Sequence, residues 1–169
     1  MVLTRRSNDF SRFSRTKVRQ WEPDSGYMRA KVAQEKLIEA GMVPYTILRA
    51  TQFFEFLSAI AGTGIGSIHV SDAPMQPMAA DDVAALADVV VASPASGILE
   101  VAGPESLPMA TFVGKALAAN GDMRTVVADQ QARYYGAALD EVGLGPRNAN
   151  PRIAPTRFEA WASRSVARV

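Results

Sequence analysis

Beyond Trp21 the chain alternates between short apolar, β-prone runs and longer stretches whose apolar positions recur every three or four residues. The first pattern marks strands and the second amphipathic helices. Asp24-Ser25-Gly26 suits a helix entry, and Tyr27 to Ala40 then places Ala30, Ala33, Leu37 and Ala40 on one stripe. Lys31, Glu35 and Glu39 form an i, i+4 row expected on the solvent side. Gly41 suits the left-handed position that ends such a helix. Tyr45 to Leu48 reads as a buried strand and Phe53 to Ala61 as a second helix. Ile68 to Val70 is a short strand, and Pro74 and Pro77 punctuate a loop. Asp81-Asp82 can cap a helix over Val83 to Ala92, and Ile98 to Ala102 is a strand ended by Gly103-Pro104. Pro108 suits the first turn of another helix, which Asn120-Gly121 ends. Thr125 to Ala128 is a further strand, and 143–155 is a Gly/Pro/Asn-rich loop, either a lid or a plain connection. Thr156-Arg157-Phe158-Glu159 fits a capping box opening the last helix. Strands alternating with helices predict βα units and a mostly parallel sheet, an α/β fold.

A length of 169 residues suits one domain. A net charge of +1 argues against whole-chain attraction to nucleic acid or a membrane. No cysteine is present, which excludes disulfides, thiolate catalysis and cysteine-based zinc sites. The single histidine, His69, cannot form a histidine cluster and reads as structural. No run of about 18 apolar residues predicts a transmembrane helix, so a soluble cytoplasmic protein is the default. Residues 1–20 differ in texture: Arg5, Arg6, Arg12, Arg15, Lys17 and Arg19 stand against one acid, Asp9. They are expected to form a disordered basic arm. Contact with an acidic partner is the alternative, and nucleic acid is disfavoured without a recognisable binding motif.

The candidate chemistry begins with Tyr27 and Lys31, one helical turn apart on one face. A nearby ammonium lowers a phenol's pKa from about 10 and so favours proton transfer near neutrality. The same ammonium can bond a ribose. The commoner alternative for this spacing is a packed tyrosine beside a solvated lysine. Phe53, Phe54 and Phe56 could line a substrate cavity or fill a core, and one of Tyr134 and Tyr135 could face a pocket while the other packs. Asp81-Asp82 reads as a helix cap rather than a metal site. Gly62-Thr63-Gly64-Ile65-Gly66 follows a predicted helix rather than a strand, so it reads as a turn and not a phosphate loop.

Several ordered segments resemble atypical short-chain dehydrogenase/reductases, and the nearest branch is similar to NmrA-like NAD(P)H-binding proteins. They are Gly26 to Glu35, Pro44 to Phe56, Pro77 to Ala84, Leu99 to Glu105 and Arg124 to Asp129, with Ala132 to Gly136 after them. The resemblance covers about residues 22–162. It implies a Rossmann-type fold that binds NADP or NAD. It also implies that Lys31 contacts the cofactor ribose and that Tyr27 is a proton donor. Ala50, Thr51, Gln52 and Phe53 would lie beside the nicotinamide, and Phe54, Tyr134 and Tyr135 would line the substrate pocket. The implied reaction is hydride transfer to a small carbonyl, quinone or enone.

The chain departs from that family at its start. The first glycine is Gly26, so no Gly-x-x-Gly-x-x-Gly turn precedes the Tyr27 helix, and no serine there sits in a strand pattern. The expected fold is therefore a truncated Rossmann-type parallel sheet with helices, plus a small C-terminal substrate-binding region. Residues 21–169 would form the C-terminal part of the domain. Dinucleotide binding by the chain alone is expected to be weak or absent. The rival expectations are a dinucleotide-sensing regulator without catalysis and an inactive fragment. An exposed sheet edge would favour a homodimer.

Overall fold

A computed structural model describes residues 2–3 and 26–166. In chain order the elements are β1 (Val2–Leu3), α1 (Gly26–Glu39), β2 (Thr46–Ala50), a 3-10 turn (Phe54–Phe56), α2 (Leu57–Ile60), β3 (Ile68–Val70) and β4 (Pro74–Met75). They continue with α3 (Ala80–Ala92), β5 (Gly97–Ala102), β6 (Leu107–Pro108), α4 (Met109–Ala119), β7 (Val126–Ala128), β8 (Arg152–Ile153) and α5 (Phe158–Val166). Among the described residues no helix is long and apolar enough to cross a membrane.

The main sheet has the order β1-β2-β5-β8. β2, β5 and β8 run parallel, and β1 pairs antiparallel with the outer edge of β2. The register sets Leu48 opposite Leu99 and Arg49 opposite Glu100. Successive strand residues point to opposite faces. Leu48, Leu99 and Val101 accordingly pack with Val83, Leu86 and Val90 of α3. Arg49 and Glu100 point the other way, and Glu35 of α1 meets Arg49 there. Helices α1 and α3 therefore lie on opposite faces of a parallel sheet, and the chain is α/β.

A second core fills the C-terminal region. Met109, Phe112, Val113, Ala116 and Leu117 of α4 pack against Ile68, Val70, Leu57 and Phe158. Two small sheets border it, β3 with β7 in parallel and β4 with β6 antiparallel. Phe54 stands at its centre, 5.4 Å ring to ring from both Phe158 and Trp161 and 6.3 Å from Phe112.

Several expectations are corrected by this arrangement. Phe54 is a core residue, 1% exposed, because the 3-10 turn aims it inward. The helix expected over Phe53 to Ala61 is split into that turn and one α-helical turn. On α1 the stripe of Ala30, Ala33, Leu37 and Ala40 faces solvent, with Leu37 77% exposed, while Val32, Glu35 and Ile38 are half-buried. Three alanines offer little area to bury, and the Glu35–Arg49 fork turns the other face inward. Gly41 does not take the left-handed conformation, whereas Gly121 does, with φ 71. Pro74 belongs to a short strand, and the 143–155 loop contains β8. Pro108 is the N-cap of α4 rather than part of its first turn. The basic arm lies outside the described residues except for Val2 and Leu3, which β1 pairs with Ile47 and Thr46.

The helix caps also differ from the local reading. The Glu55 carboxylate accepts the Ala80 N–H at 3.2 Å, where Asp81 and Asp82 were expected to cap α3. Asp82 instead accepts the Thr156 N–H at 3.1 Å and its hydroxyl at 2.9 Å. With that hydroxyl engaged, no capping box forms, and Glu105 accepts the Phe158 N–H at 3.0 Å. Phe54→Ala is expected to cost about 3–5 kcal/mol in urea unfolding. Phe56→Ala, at a side chain 57% exposed, should cost about 0.5 kcal/mol or less.

Candidate functional site

Because β2 and β5 are parallel and in register, their carboxyl ends lie side by side. In open α/β sheets that edge is where ligands gather. The segment 76–78 is laced to both ends here. The Thr51 N–H donates to Val101 O at 3.0 Å, and the Thr51 hydroxyl donates to Gln76 O at 2.5 Å. Gln76 Nε2 donates to Gly103 O at 2.7 Å, and the Gly103 N–H returns a bond to Gln76 O at 3.1 Å. Met78 N–H donates to Gln52 O, and Phe54 N–H to Met78 O. A Cβ on Gly103 would stand 1.7 Å from Pro77 O, so only glycine allows this approach.

The C-terminal region reaches the same edge through Tyr134. Its hydroxyl donates to Gln52 Oε1 at 2.9 Å, and the residue is 7% exposed. Tyr135 is 63% exposed, stacks edge-on against Tyr134 at 4.7 Å, and has φ 47. A tyrosine in the left-handed region is strained, and such strain clusters at functional sites. Tyr134 thus packs while Tyr135 presents its ring.

Lys31 approaches from α1. The short connection from α1 into β2 makes helix and strand antiparallel, so the start of α1 overlies the carboxyl end of β2. Lys31 lies one turn before Glu35, which marks the level of Arg49, and is exposed. Tyr27 belongs to the first turn of α1, and its side chain is outside the described residues. Residues 50–53 are contiguous and half-buried at this edge, and Phe53 bridges to Met78. Residues 50–53 and Tyr134 are thereby gathered at one end of the sheet, with Tyr135 beside Tyr134, and Phe54 is not among them.

The sequence reading missed the ionic network beneath this edge. Arg49 Nε donates to the Glu35 carboxylate oxygens at 2.9 and 3.1 Å, and Nη2 bonds the same group. Arg49 Nη1 reaches Glu100 Oε1 at 3.4 Å. Glu100 is 6% exposed, and its other oxygen accepts the Arg147 and Asn148 N–H groups at 2.8 and 2.6 Å. The hydrogen bond with Glu35 raises the Arg49 pKa against the opposing effect of burial. The available signal was one charge inside each of two apolar strands, of opposite sign. Gln76, which closes the strand ends, carried no signal.

The implied dinucleotide fits this edge only in part. Residues 50–53 lie half-buried at the strand ends where a ligand could reach them. Among the described residues no strand leads through a glycine turn into a helix N-terminus able to hold a pyrophosphate. The glycine stretch 62–66 follows α2, and Gly62 O and Gly64 O accept Arg124 Nη1 at 3.0 and 2.8 Å. Its carbonyls face a cation, the reverse of a phosphate cradle. His69 lies exposed on β3 with Nδ1 3.5 Å from Asp129 Oδ2, away from the strand ends.

No protein-family model matches the chain, and no curated protein matches it. A solved structure similar in fold is the crystal structure of the Bordetella bronchiseptica enzyme WbmG in complex with NAD and UDP. The identity is 20% and the TM-score 0.53, and the match covers 83% of this chain. The chain spans about half, 48%, of that structure's length. At this identity the likeness shows the fold, a Rossmann-like α/β sheet.

Gly103→Ala should cost about 3 kcal/mol in chemical unfolding, since backbone must move to admit the methyl group. The Arg147 guanidinium, 2.7 Å from Asp140, holds that carboxyl below its ordinary value, chiefly by hydrogen bonding. A depressed folded pKa contributes stability above the unfolded value of about 3.9 and loses it as pH falls through the folded value. Arg147→Ala should therefore melt lower than the parent above about pH 4, with the gap closing in stronger acid. Melting temperatures across pH 2–7 check this.

Proposed function

We propose that this chain carries the nicotinamide-side portion of an NAD(P)-dependent oxidoreductase of the NmrA-like short-chain dehydrogenase/reductase type. The observation that supports the reading is the Glu35–Arg49 fork, which ties α1 to β2 next to residues 50–53 at the carboxyl edge of a Rossmann-like sheet. The reaction is hydride transfer to a small carbonyl, quinone or enone. Bound NAD(P)H supplies the hydride. Lys31 donates hydrogen bonds to the ribose, and its charge favours the phenolate form of Tyr27. Tyr27 gives the proton to the substrate oxygen. Tyr135 offers an exposed ring on the substrate side, and Tyr134 fixes Gln52. The fold likeness to WbmG supports the Rossmann-like frame on which this reading rests.

One observation favours a second reading, a dinucleotide-sensing regulator without turnover. The Thr51 hydroxyl donates to Gln76 O within the protein, so it polarises no substrate carbonyl as it stands.

Fluorescence titration with NADH and with reduced nicotinamide mononucleotide tests the proposal. Comparable affinities for the two are expected, because the adenosine half finds no cradle among the described residues. Lys31→Ala should weaken both about tenfold, or about 1.4 kcal/mol. Absence of binding by either at millimolar concentration would sink the cofactor reading. Binding without turnover of quinones, enones or aldehydes would select the regulator.

A further inference from the structure

We propose that Arg49 is a positioning residue that locks the Lys31 helix and the 143–155 loop into one fixed relation by bridging Glu35 and Glu100. Its importance for cofactor binding rests on the function proposed above, while the mechanical link stands on geometry alone. The Arg49 guanidinium divides its edges: Nε and Nη2 hold Glu35 of α1, and Nη1 reaches Glu100 of β5. Glu100 Oε1 takes the arginine while Oε2 takes two consecutive N–H groups of the loop, those of Arg147 and Asn148. The Glu100 side chain is 5% exposed, so its charge depends on these three donors rather than on water. Arg49 and Glu35 are themselves mostly shielded, 28% and 19% exposed. The helix and the loop thus share the Arg49 cation through these contacts.

The consequence is directional. Loss of the Glu35 charge removes the fork that fixes Arg49, which then swings toward solvent. Glu100 is left buried with its nearest cation out of place. The charge-assisted bonds to the loop N–H groups weaken in turn. Disturbing α1 at Glu35 therefore loosens the loop at Arg147 and Asn148, residues that Glu35 does not touch.

Amide hydrogen exchange followed by NMR on the full chain, without nucleotide, tests this link. In Glu35→Gln, exchange at the Arg147 and Asn148 amides should rise at least about fivefold, together with that of α1, while α4 stays protected. Arg49→Lys keeps the charge but loses the fork, and should loosen the same two regions. Glu39→Gln, on the same helix but off the network, should loosen neither. Loop amides that are unchanged or slower in both Glu35→Gln and Arg49→Lys would overturn the proposal and make α1 and the loop separately anchored. A variant that exposes α4 as well is globally unstable, and the other of the two then decides. Because no cofactor is present, failure of the cofactor reading leaves this result unaffected.

Discussion

Arg49 and Glu100 face each other across two parallel strands, and the orientation of the N-terminal layer follows from that pairing. Burying either charge alone is strongly unfavourable. Opposite signs at matched register, completed by Glu35 and by two loop N–H groups, make the burial tolerable. Sheet parity does the rest. With Arg49 on one face, Leu48 must point to the other, where α3 supplies Val83, Leu86 and Val90. The network thus fixes which face receives α1 and which surface α1 turns inward.

Acidic side chains also join the two cores. Glu55 binds the start of α3 and the Trp161 indole N–H of α5. Asp82 of α3 holds Thr156, and Glu105 holds the start of α5. Glu55 and Glu105 satisfy helix-end donors that lack intrahelical partners, at the positive ends of the α3 and α5 dipoles. The α/β layer and the C-terminal region meet across these bonds and across the lacing of segment 76–78. The strand ends they frame are where residues 50–53 and Tyr134 come together.

The periodic elements were legible from the chain. Ile68–Val70, the β5 run and the helices α3 and α4 were placed within a few residues, because their apolar spacing is dense and their ends carry Gly, Pro or Asn. What escaped the reading depends on distant partners. The stripe of Ala30, Ala33 and Leu37 lost to a fork formed with Arg49, fourteen positions beyond Glu35. Thr156 matched a capping box, yet its hydroxyl went to Asp82. Phe54 and Phe56 look alike in sequence, and only the 3-10 turn separates a core ring from an exposed one. At the candidate site, Lys31 and residues 50–53 were singled out by family resemblance alone. Gln76 and Glu100 were not, since their role comes from the register of strands far apart in sequence.

The central claim is that the Glu35–Arg49 fork sets α1 on the sheet. A double-mutant cycle of Glu35→Gln and Arg49→Met, read by urea unfolding, tests it most directly. A coupling energy of about 1.5–3 kcal/mol is predicted for a charge-assisted, largely shielded fork. Additive effects, with coupling near zero, would contradict the account and leave the placement of α1 to apolar packing by Val32 and Ile38.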